Sequence, residues 1–131
     1  EVYKMKGLAP HTLKLFDTAH HYGMKYILAE ELFFENLPAV YQKIDEVTAS
    51  CEVLYLTICM DVFNASIAPG VSAAAYNGIF ADSAFMHYFK HILKSEKLLA
   101  FDIAEVNPVF DLNERTARLA ASLANEWFLL K

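Results

Sequence analysis

Two carboxylates stand just past apolar segments, in the position where a parallel sheet usually carries its chemistry. Asp61 ends the run Leu54–Asp61 (LYLTICMD), and Glu105 lies in the run Leu99–Pro108 (LAFDIAEVNP). Short apolar runs rich in β-forming residues favour buried parallel strands. Ligands of such sheets bind outside the carboxyl ends of the strands. We therefore predict that both acids face one pocket at a single rim of the sheet.

Cys59 precedes Asp61 by two residues, so on a strand both side chains point to the same side. A carboxylate is a hard oxygen donor that suits Mn or Mg, and a neighbouring thiolate could share a metal with it. Alternatively, Asp61 could act as a general base or hydrogen-bond to backbone amides in a turn. Cys59 could likewise be a small buried hydrophobe. The residue types alone leave these interpretations open.

Glu105 could hold a planar cationic group, because a carboxylate accepts paired hydrogen bonds from an N–H fork. The alternative is a salt bridge to Arg115 or Arg118. Asp102 lies inside the same apolar run, and a buried acid there would need hydrogen-bonding partners. We interpret Asp102 as a group that supports the site through hydrogen bonds.

The histidines give weaker signals. His87 and His91 have the i, i+4 spacing of some zinc ligands, but no glutamate lies between them in the HExxH manner. His20 and His21 come at the predicted end of a helix, where the dipole favours a cation. Zinc binding is therefore not predicted.

Helical and strand patterns alternate along the chain. Three short apolar runs predict strands: Lys25–Glu30, Val53–Cys59 and Leu98–Ile103. Four amphipathic segments predict helices over residues 10–22 (closed by Gly23), 37–47 (capped by Asn36), 82–94 (capped by Asp82) and 113–130. This order predicts βαβ units and an α/β domain of three layers, helices on both faces of a parallel sheet.

The chain shows no internal repeat, low-complexity tract or linker, so residues 1–131 are expected to form a single domain. A long irregular stretch, Val62–Phe80, contains the sequence APGVSA and separates the second strand from the third helix. Loops of this length in a compact domain are usually functional or disordered. Its apolar content argues against disorder, so we expect it to contribute to the site.

The composition excludes several classes of function. A net charge of −5 without a basic cluster gives little attraction for a nucleic-acid backbone. No apolar stretch has the length of a membrane-spanning helix, and no signal peptide opens the chain. Cys51 and Cys59 are too far apart on one strand to pair, which favours reduced thiols and a cytoplasmic location.

The chain is also unusually apolar, with 56% hydrophobic residues and a mean hydropathy of +0.24. Small domains have proportionally more surface to cover with polar groups. We therefore expect part of the apolar surface to meet a partner or a missing half of the same fold. The first residue, Glu1, fits a processed or truncated product.

Two motifs resemble those of the ureohydrolases, the arginase and agmatinase superfamily. Leu56–Ala73 (LTICMDVFNASIAPGVSA) is similar to the family's second metal-binding motif. Asp102–Pro108 (DIAEVNP) is similar to the motif whose glutamate holds the amidine or guanidine group of the substrate. APGVSA, the stretch DIAEVNPVFDLNERTARLAA and the earlier segment NLPAV look most like the formimidoylglutamase branch. The resemblance covers essentially the whole chain.

The resemblance implies an arginase-like fold of which this chain is the C-terminal portion. It implies that Asp61 binds manganese, and that Glu105 binds the substrate and serves catalysis. Cys59 stands where the family has its metal-bridging aspartate, so it is a second expected metal ligand. A cysteine there could also shift the metal preference or leave the site impaired. The family's upstream histidine and Asp-x-His-x-Asp cluster have no match here, so the N-terminal half of the enzyme is an implied partner. Self-association into a homo-oligomer stays open.

The implied reaction is hydrolysis of N-formimidoyl-L-glutamate to L-glutamate and formamide by a pair of manganese ions, a step of histidine degradation. These 131 residues alone are expected to be inactive, because most metal ligands are absent from them. Two alternatives stay open. One is a guanidine hydrolase of the arginase or agmatinase type. The other is a non-catalytic α/β module that has lost its metal site, with Cys59 the mark of that loss.

Overall fold

The computed structural model describes residues 12–130, which form an α/β fold. The elements in chain order are α1 (Thr12–His21), α2 (Leu37–Ala49), β1 (Leu54–Cys59), α3 (Ser83–Leu93), β2 (Leu98–Ala104) and α4 (Arg115–Leu130). Short 3-10 turns join several of them. Among the described residues, no helix combines the length and the apolar character needed to cross a bilayer.

The two strands pair in parallel, as predicted, with α3 between them in the chain. Leu56 lies opposite Phe101 in the ladder, and Cys59 lies opposite Ala104. Side chains alternate along β1: Leu56 and Ile58 are covered, while Tyr55 is 63% exposed. One face of the strand pair therefore belongs to the core.

The core lies between the covered face of the sheet and three helices. The helices contribute the apolar stripes that their sequences predicted. Their buried members include Leu37, Val40 and Ile44 of α2, Phe85, Phe89 and Leu93 of α3, and Leu123 of α4. Trp127 of α4 packs on Phe101 of β2, with ring centroids 5.2 Å apart. Phe63, fully buried after β1, meets Phe85 edge-on at 5.1 Å.

An open apolar cleft of about 710 Å³ runs along β1. Every residue of β1 lines it, but only Leu98 of β2 does, so it follows the edge of β1 that β2 does not cover. Ile27, Val40 and Phe85 form part of its apolar wall. Within residues 12–130, β1 pairs with no strand along this edge.

The predicted strand Lys25–Glu30 is wrong. Tyr26 makes a single bridge, and the chain then turns through a 3-10 helix at Ala29–Glu31. The carboxylate of Glu31 accepts the backbone N–H of Leu28 at 2.6 Å, which closes this turn. The same N–H, assisted by Lys43, lowers the pKa of Glu31 despite its partial burial. The side-chain hydrogen bond favours a turn here, and the strand propensity of a six-residue run is too weak to compete with it.

One predicted helix cap and one predicted helix start differ from the structure. Asn36 precedes α2, but its side chain caps nothing there, since its amide donates to the carbonyl of Glu31 at 2.8 Å. α4 begins at Arg115 because Asn113 and Glu114 have φ angles of 54° and 57°, in the left-handed region. A helix cannot continue through such residues.

Other boundaries are confirmed. Asp82 caps α3 by accepting the N–H of Phe85 at 2.9 Å. Gly23 follows α1 with a φ of 62°, the left-handed conformation in which glycine commonly ends a helix. The predicted start of that helix at Pro10 lies outside the described residues.

Candidate active site

Asp61 and Glu105 follow adjacent parallel strands at the same rim of the sheet. β1 ends at Cys59 and β2 at Ala104, and these two residues are partners in the ladder. Asp61 then lies two residues past β1, and Glu105 directly follows β2. Because the strands are parallel, both acids follow them at the same rim of the sheet, as predicted. That they face one pocket stays a prediction.

Asp61 is buried, with 3% of its surface exposed, in the 3-10 turn Met60–Val62. The thiol of Cys59 donates to its Oδ1, with the sulfur and oxygen 2.8 Å apart. The spacing of two residues thus brings a sulfur and a carboxylate oxygen together. A buried carboxylate of this kind needs polar partners, and Cys59 is one of them.

These two groups fit part of a metal centre. The carboxylate is the donor type that manganese prefers, whereas a thiolate favours softer metals. Within residues 12–130, no three His, Cys, Asp or Glu side chains lie close enough to hold an ion together. Cys59 and Asp61 could supply two donors to such a centre, and further ligands would have to come from outside the described residues.

Glu105 is exposed, and its backbone has a φ of 67°. A non-glycine residue in the left-handed region is uncommon and costs free energy. The hydroxyl of Ser72 donates to its Oε2 at 2.6 Å. Among the described contacts Arg115 donates to the carbonyl of Ser66, and Arg118 pairs with Glu114, so neither arginine is the partner of Glu105.

The loop after β1 and the segment after β2 are joined by further hydrogen bonds. The N–H of Asn107 donates to the carbonyl of Gly70 at 2.7 Å. The N–H of Gly70 donates to Oγ1 of Thr116, also at 2.7 Å, and Thr116 is fully buried. The irregular stretch predicted to contribute to the site is thus held against the chain that carries Glu105.

Gly70 is required at this junction because of how closely the two segments approach. A Cβ built on Gly70 would lie 2.8 Å from the Cα of Asp111, closer than real Cβ contacts allow. Asp111 is itself fixed, since its carboxylate accepts the N–H groups of Thr116 and Ala117, each at 2.9 Å. The APG sequence therefore places its glycine where only a hydrogen fits.

Asp102 lies two residues before the end of β2 and has a hydrogen-bonding partner. Its role in supporting the site stays a prediction. The hydroxyl of Tyr55 donates to its Oδ2, and this hydrogen bond raises the pKa of Tyr55. Its other oxygen, Oδ1, is buried and accepts no hydrogen bond among the described residues. Asp102 shares a sheet face with Thr57, its partner in the ladder.

The histidines hold helices and turns together. His91 contacts the carboxylate of Asp45 at 2.6 Å and stacks on Tyr41, which ties α3 to α2. His87 packs edge-on against Phe34. The two histidines of the i, i+4 pair thus have separate sets of neighbours.

Ser72, Asn107 and Thr116 were missed as site residues. Their contacts reach across 33 residues for Ser72 and 46 for Thr116, so no local spacing marks them. One signal was present for Ser72, which is the polar side chain of the otherwise apolar sequence APGVSA in the long loop that follows a candidate acid.

Comparison with known proteins decides the family. A model of the arginase family matches residues 5–130, nearly the whole chain. The chain belongs to the arginase family. A relative named formimidoylglutamase, from Geobacillus sp., is 41% identical over 127 residues, which cover 95% of this chain and 38% of that protein.

Solved structures of this family share the fold. The crystal structure of formimidoylglutamase from Bacillus subtilis superposes with a TM-score of 0.78 at 22% identity, over 87% of this chain and 36% of that one. Arginase from Bacillus caldovelox gives a TM-score of 0.77 at 20% identity, over 88% and 39% of the two chains. The prediction of an arginase-like fold is confirmed. The chain spans less than two fifths of the length of these relatives.

Proposed function

We propose that the protein containing this chain hydrolyses N-formimidoyl-L-glutamate to L-glutamate and formamide, in the degradation of histidine. The observation that carries the proposal is the shared rim, where Asp61 and Glu105 follow paired strands and the two following loops are hydrogen-bonded together. The 41% identity to a protein named formimidoylglutamase supports this branch of the family. On this proposal, the chain is the C-terminal portion of a longer cytoplasmic enzyme.

Glu105 would bind the cationic amidinium group of the substrate. The group is planar and presents N–H donors side by side, which a carboxylate can accept as a pair. An exposed carboxylate at the rim is open to such a ligand. Holding the amidinium in one orientation fixes the carbon to be attacked, and alignment of this kind supplies a large share of many rate enhancements.

Asp61 and Cys59 would contribute to a centre of two manganese ions, with the remaining ligands in the N-terminal half of the enzyme. When bound, such ions supply a hydroxide nucleophile from water near neutral pH. Burial of Asp61 beside the Cys59 thiol keeps the carboxylate in one place at the rim. Because the described residues provide only these two neighbouring donors, we expect residues 1–131 to be inactive by themselves.

The proposal is tested by substituting Glu105→Gln in the intact protein. The amide keeps the size of the side chain but removes the charge that holds the amidinium. We expect kcat/KM for N-formimidoyl-L-glutamate to fall on the order of 100-fold, the usual effect of misaligning a substrate. Steady-state kinetics of formamide release measure this.

A matched control is Glu114→Gln, which removes an exposed acid that pairs with Arg118 away from Glu105. This variant should keep the wild-type kcat/KM. An unchanged rate in Glu105→Gln would contradict the role of Glu105. Faster turnover of L-arginine or agmatine than of N-formimidoyl-L-glutamate by the wild type would contradict the proposed substrate.

A guanidine hydrolase of the arginase or agmatinase type is the second candidate. The fold is equally similar to an arginase and to a formimidoylglutamase, with TM-scores of 0.77 and 0.78, so backbone likeness does not separate these activities. A panel of the three substrates on the intact enzyme does. Metal analysis of the same preparation addresses the non-catalytic alternative, which requires less than one manganese per chain.

A further inference from the structure

The side chain of Ser72 is placed to control the conformation of Glu105. Its hydroxyl donates to Oε2 of Glu105 at 2.6 Å, across 33 residues of chain. Hydrogen bonds between a hydroxyl and an ionised carboxylate are short and roughly twice as strong as those between neutral groups. Both residues are exposed, so without this contact the glutamate side chain would be free to take several rotamers in water.

The donor itself sits on a fixed frame. Two residues before Ser72, Gly70 is bonded through its carbonyl to Asn107 and through its N–H to the buried hydroxyl of Thr116, both at 2.7 Å. Val71, between them, is buried with 3% of its surface exposed. Ser72 therefore cannot follow Glu105 into another conformation without moving a packed part of the loop.

Glu105 in turn starts from a constrained backbone. Its φ of 67° fixes the direction in which the side chain leaves the end of β2. Strained residues of this kind persist only where the surroundings hold them, and they cluster at functional sites. The hydrogen bond to Ser72 and the strained backbone together define one position for the carboxylate.

We propose that Ser72 is a positioning residue that holds the carboxylate of Glu105 ready for the amidinium group of the substrate, an inference that rests on the proposed function. Each oxygen of a carboxylate has about two lone-pair sites. Oε2 can therefore accept the serine hydroxyl and a substrate N–H together. Binding then proceeds without first ordering the glutamate side chain.

This role predicts that loss of the Ser72 hydroxyl changes KM but not kcat. If only one rotamer of Glu105 binds substrate, the apparent affinity falls in proportion to the population of that rotamer. Once substrate is bound, the rotamer is already the correct one, and the chemical step is unchanged. Loss of the hydroxyl should therefore raise KM and leave kcat nearly constant.

The test uses the intact protein with Ser72→Ala, Ser72→Thr and Ser66→Ala. For N-formimidoyl-L-glutamate, we expect Ser72→Ala to raise KM about fivefold, the typical net effect of one lost hydrogen bond. Its kcat should stay within about twofold of wild type. Ser72→Thr keeps the hydroxyl and should restore KM. Ser66→Ala removes another exposed loop hydroxyl, bonded to Asn64 at 2.7 Å, and should leave KM unchanged.

Three results would overturn the inference. An unchanged KM in Ser72→Ala means that the hydroxyl does not position Glu105. A lower kcat and a lower melting temperature with constant KM mean that Ser72 supports only the loop. Failure of the wild type to hydrolyse the substrate would contradict the proposed function, and the role of Ser72 with it. An active wild type whose KM does not change in Ser72→Ala would contradict the role of Ser72 alone.

Discussion

At the scale of single residues, Thr116 fixes the loop after β1 through a side-chain hydrogen bond. It is fully buried near the start of α4, and its Oγ1 accepts the N–H of Gly70. Buried backbone groups in proteins nearly always have a partner, because an unsatisfied one costs free energy. Together with the main-chain bond from Asn107, this one side-chain oxygen therefore sets the position of Gly70 and of Ser72 after it.

Substituting Thr116→Val in the intact protein should show this dependence. Valine has nearly the same shape but offers no acceptor, so the N–H of Gly70 would be buried without a partner. We expect the free energy of unfolding to fall by about 1–3 kcal/mol. Denaturant titration measures it. Thr116→Ser, which keeps the oxygen, is the control for the hydrogen bond, and a valine variant as stable as wild type would contradict the argument.

The positions of the two acids could be predicted from the sequence, but the residues that hold them could not. Asp61 and Glu105 stand at the ends of apolar runs, which is a local pattern. Ser72 and Thr116 act through contacts across 33 and 46 residues. A hydroxyl in a loop carries no periodic signal, and its partner is set only when the two strand ends meet in the folded chain.

At the scale of elements, the start of α4 shows how backbone conformation and a cap set a helix boundary. The helix is predicted from residue 113, yet Asn113 and Glu114 are left-handed and the helix begins at Arg115. Asp111 supplies the cap from outside, accepting two N–H groups of the first turn. Asp82 could be predicted as a cap because it lies three residues before Phe85, the usual spacing of such a hydrogen bond. Asp111 lies five and six residues before the N–H groups that it accepts, so no usual spacing marks it as a cap.

The cap makes the stability of α4 depend on pH. Burial of the Asp111 carboxylate opposes its ionisation, but hydrogen bonds from Thr116 and Ala117 outweigh this and lower its pKa. A lowered pKa in the folded state means that the ionised form stabilises the fold. This contribution is present above the unfolded pKa of 3.8 and is lost as the pH falls through the lower folded value.

We therefore expect Asp111→Asn to unfold at a lower temperature than wild type at neutral pH. The difference between the two proteins should shrink as the pH falls below 3.8, where the wild-type carboxylate becomes protonated as well. Thermal unfolding of the intact proteins between neutral and acidic pH measures it. A difference that stays constant across this range would assign the effect to shape alone.

At the scale of the whole molecule, the open cleft along β1 is the main departure from a closed fold. The apolar composition predicted that part of the surface would meet a partner or a missing half. The structure places an apolar cleft at the unpaired edge of β1. The alternation of elements gave the α/β class correctly, and two of the three predicted strands form.

A polypeptide of residues 1–131 prepared alone should show the consequence of this cleft. Exposed apolar strand edges bind other chains. We expect it to bind a hydrophobic dye and to self-associate through this edge. Sedimentation and dye fluorescence measure both properties. Val53→Lys, which places a charge at the mouth of the cleft, should reduce self-association, and a monomeric, dye-free wild-type polypeptide would contradict the expectation.

The bond between Asn107 and Gly70 has a consequence for how such a site diversifies. It uses main-chain atoms only, so it survives most changes of amino acid on either side. Ser72, Ala73 and Ala74 are exposed directly beyond it. Evolution can therefore exchange these three side chains while the frame beneath them keeps its shape, and new chemical preferences can arise without a new architecture.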